Sequence, residues 1–191
     1  MEDRIDKHSL VDLLAQWNNF LKRKIHLIAC GGTALTLQDI KPSTKDIDFI
    51  VPSDAEYKYL LKTLKELGYK QLTGSGWRGS GDPFIFDLFP GKCIHTTELL
   101  HSPMEDDKHI PFKEFSNLYI GILNHYDLIC SKLFRGTRID FDDCLMLYRA
   151  KKGQVDITHL KAHFKEMASY DISEEKIITN MTHFIDLLEQ D

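Results

Sequence analysis

The chain has 191 residues, 42% of them hydrophobic, and a formal net charge of −5. That length and apolar content allow one well-packed core with a modest helical annex. The negative balance excludes a broad basic surface for non-specific nucleic-acid binding. The N-terminal stretch has no apolar signal region, and no segment approaches the roughly eighteen apolar residues of a membrane span, so a cytoplasmic protein with no membrane partner is expected. Cys30, Cys93, Cys130 and Cys144 lack any Cys-x-x-Cys spacing and read as reduced thiols.

In chain order, Ser9 and Asp12 read as a capping-box-like start to a first helix in which Leu10, Leu13, Leu14, Trp17, Phe20 and Leu21 recur at helical spacing. Ile25 to Cys30 reads as a strand, Gly31-Gly32 as a turn, and Thr33 to Gln38 as a short helix. The apolar run around Asp46-Ile47-Asp48-Phe49 reads as a second strand. Ser53 opens another helix with Tyr57, Leu60, Leu61, Leu64 and Leu67 on one face and Gly68 as its stop. Thr73 to Pro83 is glycine-rich and reads as a mobile loop, either a cover for a site near Asp87 or a flexible connection. Phe84 to Phe89 is an aromatic strand carrying one charge, Asp87. His101 to Lys113 reads as an exposed connection and Asn117 to Leu123 as a strand. Asn124 with Asp127 caps a helix striped by Tyr126, Ile129, Cys130, Leu133 and Phe134, with Lys132 away from the stripe's centre. Further helices are expected from about Phe141, around Leu160, Phe164 and Met167, and from Ile177 to Leu188.

The chemistry concentrates at the aspartates. Side chains alternate along a strand, so Asp46 and Asp48 share one side while Ile47, Phe49 and Val51 face the other. Adjacent carboxylates resist joint ionisation unless a cation lies between them, and hard ions such as Mg²⁺ prefer oxygen ligands. Asp87, a lone charge in an apolar strand, needs a partner. If its strand adjoins that of Asp48, three carboxylates converge at about 5 Å strand spacing, which suits two metal ions about 4 Å apart and an in-line phosphoryl displacement. Gly31 and Gly32, at a strand-to-helix turn, let backbone N–H groups approach a phosphate, and the Thr33 hydroxyl adds a donor. His159 and His163, four apart on a helix, lack a third nearby ligand and read as a wet helix face. The clusters Lys22-Arg23-Lys24, Lys132 with Arg135 and Arg138, and Arg149 with Lys151-Lys152 read as solvated helix ends or as contacts for a triphosphate or RNA end.

With Gly31-Gly32-Thr33-Ala34-Leu35, then Thr44-Lys45-Asp46-Ile47-Asp48-Phe49, then a later strand aspartate, the chain resembles the nucleotidyltransferase superfamily that includes DNA polymerase β. It is most similar to small prokaryotic members such as the AbiEii-type toxins of toxin–antitoxin systems. Asp127 to Leu133 and Arg138 to Asp143 resemble their helical half. The resemblance implies an α+β fold: a mixed-sheet core with an N-terminal helix over residues 1–123 and a packed helical region over 124–191. It implies transfer of a nucleoside monophosphate from an NTP to an acceptor hydroxyl, with Asp46, Asp48 and Asp87 holding two Mg²⁺ ions and Gly31, Gly32, Thr33 and Lys132 holding the nucleotide. It also implies an RNA or tRNA acceptor and an antitoxin partner. The sequence departs from the common Gly-Ser at Gly31-Gly32, so Thr33 or backbone donors would replace the serine. Asp140 and Asp143 either orient Lys132 or Arg138 or are acids favoured at a helix start. The alternative from another class is an inactive nucleotidyltransferase fold acting as a binding partner in a toxin–antitoxin pair.

Overall fold

A computed structural model describes residues 3–190. Helix α1 (Lys7–Phe20) starts at Asp6, not at Ser9: the Asp6 carboxylate accepts the Ser9 N–H, so Ser9 lies inside the first turn. Strand β1 (Ile25–Ala29) runs straight into α2 (Gly31–Leu37), so the two glycines form the first turn of that helix and not a loop before it. Strand β2 (Ile47–Val51) follows, and α3 (Asp54–Glu66) begins at its Ser53 cap and ends before Gly68.

The glycine-rich stretch differs from the expected loop. It holds β4 (Gly76–Arg78), which pairs on one side with the short β3 (Lys70–Gln71) and on the other with β5 (Phe86–Pro90). Glycine and serine flank that strand, but the apolar Trp77 between them is 1% exposed and anchors it. A hairpin of β6 (Cys93–Ile94) and β7 (Thr97–Glu98) stands apart from the main sheet. The expected connection at 101–113 contains β8 (His109–Glu114), paired with β9 (Leu118–Leu123). Pro111 masks β8 in the sequence; an edge strand tolerates proline, and the register shift between Pro111 and Lys113 absorbs it.

Seven strands form one mixed sheet in the order β3-β4-β5-β2-β1-β9-β8, with β2 parallel to β5 and β1 parallel to β9. Alternation along β2 and β5 divides the faces. Phe86 packs against Trp17 of α1 at a centroid distance of 4.5 Å, and Trp77 lies under Lys65 of α3. That face is sealed by α1 and α3. The opposite face carries Asp48 and Asp87 and meets α2.

The helices α4 (His125–Arg135), α5 (Arg138–Ala150), α6 (Ile157–Ala168) and α7 (Glu174–Glu189) complete the chain. Helix α5 starts three residues before Phe141, at a capping box in which Thr137 and Asp140 satisfy each other's backbone N–H groups. Helix α4 packs against α2, α5, α6 and α7, so both of its sides are covered. This explains why Lys132, off the centre of the apolar stripe, is 2% exposed. The architecture is α+β, and one continuous apolar cluster runs from Ile5 to Phe184. Among the described residues no helix is long and apolar enough to cross a membrane.

Helix α4 depends on its cap. Asn124 Oδ1 accepts the Asp127 N–H at 3.0 Å, and Asn124 Nδ2 donates to Asp127 Oδ2 and to the Lys108 carbonyl. Asn124→Ala is expected to lower unfolding free energy by about 1–2 kcal/mol in urea titrations; an unchanged midpoint would show that the cap contributes nothing.

Candidate active site

The parallel register of β2 and β5 sets Asp48 directly opposite Asp87. Paired residues on neighbouring strands present side chains to the same face, so the two carboxylates stand side by side. Asp87 is half-buried and its Oδ1 accepts the Ser75 hydroxyl at 2.7 Å. Asp48 is buried, and no described residue gives its carboxylate a hydrogen bond or an ion pair. Burial first, and then the neighbouring charge of Asp87, push its pKa from 3.8 up to about 7, although Lys132 and Arg135 pull the other way.

Gly31 sits against this carboxylate. At φ +55° it occupies the left-handed region, and a Cβ there would lie 2.3 Å from Asp48 Oδ2. Cys30 caps α2 without a side-chain hydrogen bond, leaving the first-turn N–H groups of the helix without a side-chain acceptor. Cys30 itself is buried beside Asp48, and both effects push its thiol pKa well up, so it stays protonated.

Asp46 lies outside the strand, on the bend one residue before β2, and its carbonyl accepts the hydroxyls of Thr33 and Thr44. The Thr33 hydroxyl also accepts the Asp48 N–H at 2.9 Å. Thr33 is fully buried and braces the start of β2, its hydroxyl donating to the Asp46 carbonyl at 3.3 Å. Gly32 closes against Thr44, where a Cβ would come within 2.6 Å of the hydroxyl.

Behind the carboxylates lies a tier of buried ion pairs from α4 and α5. Lys132 Nζ donates to Asp143 Oδ2 at 2.6 Å, and Lys41 Nζ reaches the other oxygen of Asp143 at 2.8 Å. Arg135 grips Asp140 with two nitrogens, at 2.5 and 3.3 Å. Burial raises the Asp140 pKa, but the hydrogen bonds from Arg135 and Thr137 outweigh it and hold the group below its ordinary value. Lys132, expected at the nucleotide, is thus tied to carboxylates inside the protein. Asp140 is an acid of the first turn of α5 and pairs with Arg135, a partner other than the expected Lys132 or Arg138, while Lys132 Nζ stands 3.9 Å away. The Arg135 side chain keeps 29% exposure and is the more accessible of the two cations.

Sequence reasoning missed His95. It sits at the tip of the β6–β7 hairpin at φ +52°, with its ring edge-on to Phe89 at 4.6 Å. Burial and the nearby Arg135 charge lower its pKa against the pull of Asp87, Asp140 and Asp46. A positive φ on a histidine between two very short strands leaves no periodic pattern to read.

The two register-paired carboxylates, one of them buried and unpartnered, fit a divalent cation. Mg²⁺ is commonly held by one or two carboxylates, with substrate phosphates and water completing its shell. A full protein cage is absent: among the described residues no three His, Cys, Asp or Glu side chains are grouped to hold a metal. His163 is likewise no ligand, since its Nε2 bonds Asp127 Oδ1 at 2.6 Å.

The family described as Nucleotidyltransferase of unknown function (DUF6036) matches residues 8–189. The chain belongs to this nucleotidyltransferase family. Solved nucleotidyltransferase folds resemble it. ANT(2")-Ia in complex with adenylyl-2"-tobramycin aligns with a TM-score of 0.54 at 10% identity, covering 85% of this chain and 94% of that one. An antigenic nucleotidyltransferase-like protein from Paracoccidioides brasiliensis aligns at 0.50 and 12% identity, covering 93% and 95%. At such identities the likeness is one of fold. No curated protein matches the sequence.

In this nucleotidyltransferase the raised Asp48 pKa makes stability depend on pH. A carboxyl with a higher pKa folded than unfolded stabilises the fold below the unfolded value of 3.8, and that contribution is lost as pH rises towards about 7. Without metal, the wild type is therefore expected to lose stability between pH 4 and about 7, by at most about 4 kcal/mol. Asp48→Asn should remove that slope, and Mg²⁺ should restore wild-type stability at neutral pH. Thermal melts across pH, with EDTA or Mg²⁺, check this; parallel curves for both proteins would contradict it.

Proposed function

We propose that the protein transfers a nucleoside monophosphate from an NTP to an acceptor hydroxyl and releases pyrophosphate. The observation that carries this reading is the in-register pair of Asp48 and Asp87 beside the open first turn of α2. Family membership supports nucleotide transfer in general. Mg²⁺, as two ions in the reading drawn from resemblance, would be held by Asp48 and Asp87 with Asp46 alongside. When bound it supplies charge neutralisation at the transferring phosphoryl group.

The chain's own groups account for the rest. The N–H groups of Gly31 and Gly32 would cradle the β and γ phosphates of the triphosphate. Arg135 adds positive charge on the same side, and Asp140 sets its orientation. Lys132 contributes field from within the protein, since its ammonium is committed to Asp143. Asp87 takes the acceptor proton as the acceptor oxygen bonds to the α-phosphorus and the α–β bridging bond breaks. Its Oδ1 is held by Ser75, which fixes the carboxyl plane for that role.

The resemblance to AbiEii-type toxins favours an RNA or tRNA acceptor and an antitoxin partner, and the fold neighbour solved with adenylyl-2"-tobramycin favours a small molecule. Incubating the protein with each α-labelled NTP, Mg²⁺, total RNA and a small-molecule extract, then locating the label, tests the reading. Label should move to one acceptor class, and Asp48→Asn should slow transfer about 100-fold or more while the fold persists. Full transfer by that variant would remove Asp48 from the chemistry. No transfer from any NTP by a folded wild type would favour the inactive binding partner.

A further inference from the structure

The hairpin of β6 and β7 returns the chain over the face that carries the carboxylates. Residues two apart on a strand share a face, so Phe89 of β5 stands on the same side as Asp87, about 7 Å farther along. The His95 ring lies edge-on to Phe89 at 4.6 Å, which sets the imidazole over that face. The charges of Arg135, Asp87, Asp140 and Asp46 all reach it.

The backbone is committed to this placement. His95 takes φ +52°, in the left-handed region where a glycine would rest without strain. The residue is exposed at the hairpin tip, and no described residue forms a hydrogen bond or an ion pair with its imidazole. Partial burial first, and then Arg135, lower its pKa, so at neutral pH the ring is uncharged and offers one N–H donor and one acceptor nitrogen.

Sheet order sets the direction of attack. In the run β5-β2-β1, Asp48 of β2 stands between Asp87 of β5 and the α2 turn that follows β1. With the leaving pyrophosphate over α2, an in-line displacement brings the acceptor from the Asp87 side, where His95 stands.

Resting on the nucleotidyltransferase reading above, we infer that His95 is a catalytic residue for the acceptor: its ring N–H donates to the acceptor oxygen and turns that hydroxyl's proton towards Asp87. The oxygen bonds to the α-phosphorus and Asp87 takes the proton. The α–β bridging bond breaks with its electron pair leaving on pyrophosphate, and His95 stays neutral throughout.

One part of the test needs no turnover. Protein carrying isotope-labelled histidine is titrated with Mn²⁺ and α,β-methylene-ATP, which cannot release pyrophosphate, and the His95 ring signals are assigned by their loss in His95→Asn. Wild type should lose those signals to paramagnetic broadening, and Asp48→Asn should keep them. Metal uptake with sharp His95 signals in the wild type overturns the inference alone. No metal uptake, or no transfer by a folded wild type, overturns the nucleotidyltransferase reading and the inference with it.

The second part follows label transfer to the acceptor fraction that the wild type labels. His95→Phe keeps a ring against Phe89 and loses both nitrogens; it should lower kcat about tenfold or more and leave the KM for the NTP unchanged. His95→Gly, which suits the backbone, should show the same loss while a urea titration confirms its fold. His95→Asn keeps an N–H donor at a φ that asparagine tolerates and should recover part of the rate. A wild-type kcat in His95→Phe, or a raised KM for the NTP in its place, overturns the inference.

Discussion

The site depends on the burial of one carboxylate beside another. The parallel pairing of β2 with β5 forces Asp48 and Asp87 onto one face at adjacent-strand spacing, and α2 closes over the first of them through a residue that has no side chain. Burial first, and then the charge of Asp87 beside it, push the Asp48 carboxyl up to about 7. No described residue pairs directly with the Asp48 carboxylate, and the proposed function fills that place with a divalent cation.

The helical half answers that negative charge from a distance. Lys132, Lys41 and Arg135 form a cationic layer, and Asp143 and Asp140 hold each member in a fixed geometry. Buried pairs of this kind contribute little net stability because desolvation offsets attraction. What they supply here is a fixed field beside Asp48. The Thr137–Asp140 capping box places one acid of that layer, so the start of α5 and the tuning of the site share one side chain.

The parts legible in the sequence were those with a period or a local chemical signature. The caps at Ser53 and Asn124 and the strand before Gly31 follow from periodicity and capping rules, whereas the meeting of Asp48 with Asp87 hung on their strands being neighbours, a condition that the pairing of β2 with β5 meets. The rest depended on long-range packing. Helix α4 is covered on two sides, which buries Lys132 and makes a stripe on one face a poor guide to its surroundings. Trp77 draws a glycine-rich segment into the sheet, and an edge position lets β8 keep Pro111. Thr33, read as a phosphate donor, braces the bend that carries Asp46. No local rule distinguishes those two uses of a hydroxyl at a helix start.

The proposed function requires the uptake of a divalent cation by Asp48 and Asp87 together with a triphosphate. Its most direct test is to titrate Mn²⁺ into the protein with and without a non-hydrolysable ATP analogue, following free metal by electron paramagnetic resonance. The account predicts that the analogue tightens metal binding at least tenfold in the wild type and has no such effect in Asp48→Asn or Asp87→Asn. Identical metal binding by all three proteins, with or without the analogue, would contradict it.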